Sequence, residues 1–168
     1  FPTRRSSDLL ATELETKIYA EIYDLDTVSL RYFNVYSEDQ LASGAYATVV
    51  AHWRYSLKNN ITPYITGDGE QRRDMLHVSD AVAANIFAMN YEDQFSGKAY
   101  DVGTGNNISL NEIKDIISAR KDIKFDYVSP RPGEIMISQA ETAPLEKIGW
   151  KTSVDLRQGI DRCFDFEV

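Results

Sequence analysis

The stretch Gly67–Asp80 reads GDGEQRRDMLHVSD and sets the order of strand and helix in the chain around it. It opens on a Gly-Asp-Gly turn and continues into Asp74–Val78, whose apolar residues predict a buried strand. It ends on Ser79 and Asp80, either of which can cap a helix, and the apolar run Ala81–Met89 follows as that helix. A turn, a strand and a helix in direct succession are typical of an α/β fold.

The same alternation extends in both directions from this stretch. The other predicted helices are Leu10–Tyr23, Ala45–Leu57, the helix capped by Ser109 that runs through Ala119, Thr142–Ile148 and Val154–Phe166. The other predicted strands are Thr27–Phe33, Ile61–Thr66, Ala99–Val102 and Ile123–Val128. Glu112 stands three residues after Ser109, which predicts a capping box. The predicted fold class is therefore α/β.

The composition excludes several classes of protein. The chain has 168 residues, of which 43% are apolar, and a formal net charge of −8, which fits neither a disordered tail nor a general nucleic-acid binder. Its one cysteine, Cys163, excludes an internal disulfide framework and is interpreted as a packing residue, and the two histidines, His52 and His77, make a metal site unexpected. No apolar stretch is long enough to span a membrane. We therefore predict a soluble cytoplasmic protein that binds no metal, nucleic acid or membrane.

The first nine residues, FPTRRSSDL (Phe1–Leu9), differ from the rest of the chain. Back-translated, they fit one reading frame of a common sequencing adapter, and they contain no apolar core of a secretory signal. We interpret residues 1–9 as an assembly artefact fused to a truncated gene, and residues 10–168 as the protein. A natural basic N-terminal arm is the alternative.

Four motifs in register resemble the extended short-chain dehydrogenases/reductases that act on nucleotide sugars. They are SLRYFNVY (Ser29–Tyr36), GDGEQRRDMLHVSD (Gly67–Asp80), AYDVGTGNNISLNEI (Ala99–Ile113) and SPRPGE (Ser129–Glu134). The resemblance is to the C-terminal part of NAD-dependent UDP-glucose or UDP-N-acetylglucosamine 4-epimerases. It implies a partial Rossmann-like domain without its N-terminal half, interleaved with a small α/β domain that binds the substrate. It also implies NAD as the cofactor, a UDP-sugar as the ligand, and a homodimer paired through helices, one of which ends near Tyr23.

The resemblance assigns roles at a candidate substrate site. Arg73 and Arg131 occupy the diphosphate-binding positions of the family, and guanidinium groups suit that role because each can donate two charge-assisted hydrogen bonds. Asn34 would contact the same diphosphate from the C-terminal end of a strand, where open α/β sheets bind ligands. Taken alone, each of these residues also fits a solvated surface or a turn.

The other site residues follow from the same resemblance. Tyr64 lies on the strand that holds the uracil, and Tyr46 begins the helix that lines the sugar pocket, although core packing explains both equally well. Tyr32 and Phe33 are expected beside the nicotinamide. Ser138 stands where some members have a larger side chain facing the sugar, so we expect a pocket that admits an N-acetyl group.

Two parts of the family's chemistry have no counterpart in the sequence. No glycine-rich turn with dinucleotide-binding spacing follows a strand, and no tyrosine is followed four residues later by lysine, the pair that moves the proton in this family. The loop Gly103–Gly105 lacks that spacing and is interpreted as structural, as are Asp74 and His77. We therefore predict a chain without catalytic residues, which binds a UDP-sugar without converting it.

The sequence departs from the family pattern after RYFNVY, and two other functions are compatible with it. Ser37 and Glu38 replace the glycine and proline that usually follow RYFNVY in the family, and we expect this to alter the loop beside the sugar. A 4,6-dehydratase or decarboxylase of the same superfamily would use a similar scaffold. A complete, non-catalytic nucleotide-sugar-binding protein is the third possibility.

Overall fold

Helices and strands alternate along residues 4–44 and 46–164, the parts of the chain that this computed structural model describes. The helices are α1 (Arg4–Tyr23), α2 (Val49–Lys58), α3 (Val78–Met89), α4 (Leu110–Ser118), α5 (Ala143–Lys147) and α6 (Leu156–Cys163). The strands are β1 (Val28–Tyr32), β2 (Val35–Tyr36), β3 (Tyr64–Thr66), β4 (Arg72–Arg73), β5 (Leu76–His77), β6 (Lys98–Val102), β7 (Ile108–Ser109) and β8 (Asp126–Val128). Within the described ranges, none of the helices combines the length and the apolar character needed to cross a membrane.

The strands pair mostly in parallel. β1 pairs with β6, β2 with β5 and β3 with β8 in parallel, whereas β4 and β7 pair antiparallel. In the longest pair, Tyr32 lies opposite Val102, and the amide of Phe33 donates to the carbonyl of Val102 over 3.1 Å. Parallel pairing with intervening helices confirms the α/β class and brings the carboxyl ends of β1 and β6 to one edge, where such sheets bind ligands.

Two apolar cores meet at the strand pair β2–β5. Because successive side chains point to opposite faces of a strand, Tyr36 and Met75 pack in the first core, whereas Val35 and Leu76 pack in the second. Helices α2, α4 and α6 supply most of the first core, and α3 and β6 supply much of the second. A short parallel strand pair is thus buried on both faces, as is usual for parallel sheets.

Several element boundaries differ from the sequence-based expectation. Helix α1 begins at Arg4 rather than Leu10, because nothing between Arg4 and Leu9 breaks a helix and extending a helix costs less than starting one. Helix α2 begins at Val49, because Thr48 caps it; Ala45, where the predicted helix began, lies outside the described residues. Helix α6 ends at Cys163, and the end of the predicted helix at Phe166 is likewise outside them.

The predicted cap of α3 was wrong. His77, not Ser79 or Asp80, is the N-cap residue, and its ring nitrogen accepts a hydrogen bond from the amide of Ser79. The buried carboxylate of Asp80 instead accepts bonds of 2.8–3.0 Å from the amides of Ser153 and Val154 and the Ser153 hydroxyl. Asp80 therefore ties α3 to the segment before α6. The capping box between Ser109 and Glu112 is confirmed.

The carboxylate of Asp74 joins three segments that are distant in sequence. Asp74 is fully buried and accepts hydrogen bonds from the amides of Thr104, Gly105 and Ala140, and a fourth from the Thr104 hydroxyl, all between 2.7 and 3.0 Å. Gly103 permits this approach, because a Cβ atom there would lie 2.8 Å from Asp74 Oδ2. Asp74 follows β4 directly, so these bonds fix the end of the strand that carries Arg73.

Helix α1 is attached to β1 through polar contacts. The Arg31 guanidinium makes two hydrogen bonds to the Glu13 carboxylate, one of them 2.8 Å long from Nε to Oε2, and a 3.4 Å bond to Asp101. This pairing lowers the pKa of Glu13. Gly97, at a φ of +74°, lets the helix come close, because a Cβ there would lie 2.8 Å from the Cα of Lys17.

We expect Asp74→Asn to destabilise the fold strongly. An amide would face two amide protons with its own NH₂ group, so at least two charge-assisted hydrogen bonds are lost, which corresponds to about 3 kcal/mol or more. The measurement is the free energy of unfolding in urea. Asp122→Asn, on the exposed surface, is the matched control and should change it by less than about 0.5 kcal/mol. Equal stability of the two variants would contradict the anchoring role of Asp74.

The Glu13–Arg31 pair should make stability depend on pH. Because the pKa of Glu13 is lower in the folded chain than its ordinary 4.5, its contribution is complete above that value and disappears as the pH falls through the lowered pKa. The melting temperature of Glu13→Gln should thus lie below that of the unaltered chain above about pH 5, and the gap should close towards about pH 3. Glu15→Gln, exposed on the same helix, should show no such gap; a pH-independent gap for Glu13→Gln would argue against the ion pair.

Candidate functional site

A cavity of about 1170 Å³ runs along β1 and β2 and reaches β3, β4 and the turn at residues 130–134. Of the eight residues that the sequence assigns to the site, six line it: Tyr32, Asn34, Tyr46, Tyr64, Arg73 and Arg131. Phe33 and Ser138 are not among its lining residues. Phe33 is half-buried beside β6, and Ser138 lies behind Asn34.

Arg73 is held in a fixed orientation on the cavity wall. Its Nη1 donates to the carbonyl of Arg72 over 2.9 Å and to that of Ile135 over 2.6 Å, and its Nη2 lies 3.4 Å from Glu134 Oε1. Burial lowers the pKa of Arg73, and the Glu134 carboxylate opposes this change. Since the side chain of Arg73 is only 19% exposed, its charge is directed at the cavity rather than at bulk solvent.

Arg72, its neighbour, points elsewhere. Its guanidinium bonds Asn107 and pairs with Glu112 at 2.8 Å, so it fastens the start of α4 and is not a lining residue. Adjacent residues on a strand face opposite sides, which is why only one of the two arginines reaches the cavity.

The turn that carries Arg131 also lines the cavity, and its Glu134 lies beside Arg73. Gly133 adopts a φ of +73°, and the amide of Glu134 donates to the carbonyl of Arg131 over 3.3 Å. Arg131 is exposed yet lines the same cavity as Arg73, although the two lie far apart in sequence. The tertiary fold therefore brings both arginines to the lining of one cavity, not to opposite surfaces.

Asn34 has a backbone conformation and a hydrogen-bonding pattern of its own. It adopts a φ of +26°, and its Nδ2 donates to the carbonyl of Asp74 over 2.9 Å and to Ser138 Oγ over 3.5 Å. Because a carbonyl only accepts, the first bond settles which amide atom is the nitrogen. The longer bond to Ser138 is the one that an oxygen of a ligand could replace.

The three tyrosines reach the cavity in different ways. The hydroxyl of Tyr32 accepts a 2.7 Å bond from Asn85. The carbonyl of Tyr64 accepts from the indole of Trp53 over 2.8 Å, which ties β3 to α2. The carbonyl of Tyr46 accepts from Gln40 over 3.2 Å. The hydroxyl of Tyr32 and the carbonyls of Tyr64 and Tyr46 are thus hydrogen-bonded, and all three residues line the cavity.

The loop Gly103–Gly105 does not cradle a phosphate. Its amides at Thr104 and Gly105 already donate to the Asp74 carboxylate. The structural interpretation of this loop, and of Asp74, is therefore confirmed. Cys163 is also structural, because burial raises the pKa of its thiol to about 12. Among the side chains described, from residue 8 to 44 and from 46 to 164, no group of His, Cys, Asp and Glu is placed to hold a metal ion.

Sequence reasoning missed several residues on the cavity wall. Glu134 stands out, since it bridges Arg73 and the hydroxyl of Thr66, 3.4 Å away. It ends the quoted SPRPGE motif, so its position was visible although its partner was not. His52 and Tyr55, one helical turn apart on α2, line the wall as well, and their spacing was the only signal for a shared face.

Comparisons with known proteins identify a family model and relatives that resemble this chain. A family model described as the NAD dependent epimerase/dehydratase family matches residues 9–103. The UDP-glucose 4-epimerase of Mycolicibacterium smegmatis is 31% identical over 160 residues, which is 94% of this chain and 50% of that protein.

Two solved structures are similar in fold. The UDP-N-acetylglucosamine 4-epimerase of Methanobrevibacter ruminantium, in complex with UDP-N-acetylmuramic acid, has a TM-score of 0.81 at 33% identity, over 93% of this chain and 52% of its own. The UDP-glucose 4-epimerase of Thermotoga maritima, with UDP-glucose, has a TM-score of 0.84 at 29% identity, over 94% of this chain and 50% of its own. This chain spans about half the length of these relatives. Because the family model covers more than half of its residues, the chain belongs to the NAD dependent epimerase/dehydratase family.

Proposed function

We propose that this chain is the UDP-sugar-binding part of an NAD-dependent UDP-sugar 4-epimerase. The observation that carries the proposal is the convergence of Arg73 and Arg131 on one cavity. A diphosphate ester is acceptor-only and doubly charged, and two guanidinium groups match it in charge and in hydrogen-bonding geometry. Since Arg73 is already held by three contacts, little side-chain freedom is lost when an anion binds to it.

The position of β3 favours one orientation of a UDP-sugar in the cavity. Tyr64 and Thr66 lie on the same face of β3, about 7 Å apart along the strand. Thr66 contacts Glu134, and Glu134 contacts Arg73, so contacts of 3.4 Å lead from Thr66, two residues after Tyr64, to the arginine. A nucleoside placed at Tyr64 would set its diphosphate at Arg73 and its sugar towards Asn34 and Tyr46.

The residues present do not fit a complete NAD site. The sequence holds no glycine-rich turn of dinucleotide-binding spacing, and the amides of the one loop that resembles a phosphate cradle are taken by Asp74. At the end of β1, only Tyr32 offers the cavity a surface for a nicotinamide ring. No Tyr-x-x-x-Lys pair occurs in the sequence, so binding without conversion is the activity proposed for the chain itself.

Binding of this kind would also serve a 4,6-dehydratase of the family, because both reactions begin with a held sugar diphosphate. The 4-epimerase proposal rests on the solved relatives, which carry that name. A homodimer through α1 is proposed from the exposed apolar side of that helix. It is supported by Leu10, Leu14, Ile18 and Ile22, which recur every four residues on α1 and are each about half exposed or more.

Arg73→Gln and Arg131→Gln should each weaken the binding of UDP. Loss of a charge-assisted, two-point contact corresponds to about a tenfold to hundredfold rise in Kd. Isothermal titration of the chain with UDP measures it, and the lysine variants should recover part of the loss. Arg157→Gln, an exposed arginine on α6, is the matched control and should bind like the unaltered chain. The proposal fails if all these variants bind UDP equally, or if the unaltered chain does not bind it.

Ser138→Tyr should reduce binding of UDP-N-acetylglucosamine more than that of UDP-glucose, by about tenfold. Ser138 accepts from Asn34 at the back of the cavity wall, so a large side chain there would push Asn34 into the space proposed for the sugar. Competition titrations with the two UDP-sugars measure the ratio. Ser138→Ala should leave the ratio unchanged, and an equal loss for both ligands in Ser138→Tyr would contradict an N-acetyl pocket at this point.

A further inference from the structure

His77 is a buried imidazole whose tautomer is determined by its surroundings. It is 4% exposed, and its Nδ1 accepts from the amide of Ser79 over 3.3 Å and lies 2.6 Å from the Ser79 hydroxyl. Because an amide can only donate, Nδ1 must be the accepting nitrogen of the neutral ring. The ring proton is then on Nε2.

That Nε2 proton faces Glu38. Nε2 is a buried side-chain nitrogen that has no aligned hydrogen-bond partner among the described residues, yet Glu38 Oε1 lies only 3.3 Å from it. The distance suits a hydrogen bond, and only the direction is unfavourable. Because the Glu38 side chain is 37% exposed, a rotation within solvent can align the carboxylate, and a buried donor without an acceptor is costly enough to favour it.

The carboxylate is ionised where it meets the ring. The pKa of Glu38 lies below its ordinary value, first because its own backbone amide donates to it, and the positive charge of Arg162 on α6 acts in the same direction. The ring of Tyr36 packs edge-on against His77, with ring centres 5.3 Å apart, which fixes the imidazole plane. A fixed donor thus faces a charged, movable acceptor.

Glu38 belongs to the segment of residues 37–48 that joins β2 to α2 and borders the cavity. Ser37, Gln40 and Tyr46 in this segment are lining residues. Gln40 already ties its middle to the carbonyls of Val35, over 3.1 Å, and Tyr46, over 3.2 Å. Glu38 stands between the end of β2 at Tyr36 and Gln40. Its contact with His77 would therefore hold the first residues of the segment.

We propose that Glu38 and His77 form a latch that positions residues 37–44 along the cavity wall. Glu38 is the positioning residue, and the buried imidazole of His77 is the hydrogen-bond donor that holds it. Proline would fix the backbone φ angle at position 38, whereas glutamate does not. The hydrogen bond from His77 to Glu38 would restrict this part of the chain instead. Its effect on a bound sugar rests on the function proposed above, whereas its effect on the loop does not.

Hydrogen–deuterium exchange of the whole chain tests the latch without a ligand. Glu38→Ala removes the acceptor, and His77→Asn removes the Nε2 donor while keeping a side chain that caps α3. Each should speed the exchange of amides in residues 37–44 by about threefold to tenfold, and the double variant should be no faster than either alone. Asp39→Ala is the matched control: this acid of the same loop is fully exposed and approaches Arg54 only at 4.0 Å, so its loss should change the exchange far less than Glu38→Ala. Unchanged exchange in the single variants, or additive effects in the double variant, would overturn the proposal.

A second variant separates loss of the latch from a general loss of structure. Glu38→Pro restricts the same backbone angle without a carboxylate, so residues 37–44 should exchange as slowly as in the unaltered chain. His77→Asn added to Glu38→Pro should have no further effect on these residues. If that addition speeds exchange as much as it does in the unaltered chain, His77 does not act through Glu38 and the proposal is wrong.

Ligand binding gives the functional outcome. In Glu38→Ala, affinity for UDP-glucose should fall about threefold or more relative to affinity for UDP, because the loop borders the sugar rather than the diphosphate. Equal losses for both ligands would contradict a positioning role at the sugar. If the unaltered chain binds neither ligand, the proposed function fails, while the exchange experiment still decides the latch.

Discussion

The carboxylate of Asp74 is the point on which the arrangement of the cavity depends. A fully buried charge is tolerated only when it is well bonded, and here three backbone amides and one hydroxyl surround it. Those donors come from the loop after β6 and from the segment that leads to α5. By gathering them, Asp74 fixes the end of β4, and its own carbonyl takes the amide of Asn34. Arg73 is the residue directly before Asp74, so its backbone position is fixed with it.

The cavity follows from the way two cores share one strand pair. β2 and β5 present alternate side chains to both cores, so neither strand can shift register without exposing one of them. Asn34 directly precedes β2, and Arg73 lies in β4, from which Asp74 and Met75 lead to β5. The segment of residues 37–48 follows β2 along the cavity wall, where Gln40 bonds the carbonyls of Val35 and Tyr46 and Glu38 lies near His77.

A feature formed within one helical turn could be predicted from the sequence. Features that depend on hydrogen bonds to distant segments could not. The capping box of Ser109 and Glu112 was predictable because both partners lie within one turn. Asp80 looked like an equally good cap, but its carboxylate bonds Ser153 and Val154, which no local pattern reveals. The helix start at Arg4 was missed because residues 1–9 were interpreted as an artefact and Arg4–Asp8 has no apolar periodicity that would announce a helix. The role of Glu134 was hidden for the same reason as that of Asp80, since its partner Arg73 lies 61 residues away.

The sequence by itself determined the α/β order of elements, the acidic character of the chain, and the family motifs that contain both arginines. Periodicity and motif spacing are local properties, and they survive without any knowledge of packing. Only the tertiary structure decided that Arg73 and not Arg72 faces the cavity, that the amide protons of Asn34 serve Asp74 and Ser138, and that a buried histidine faces an acidic loop. Each of these depends on which distant segment lies opposite a given side chain, and that is set by burial of the two cores.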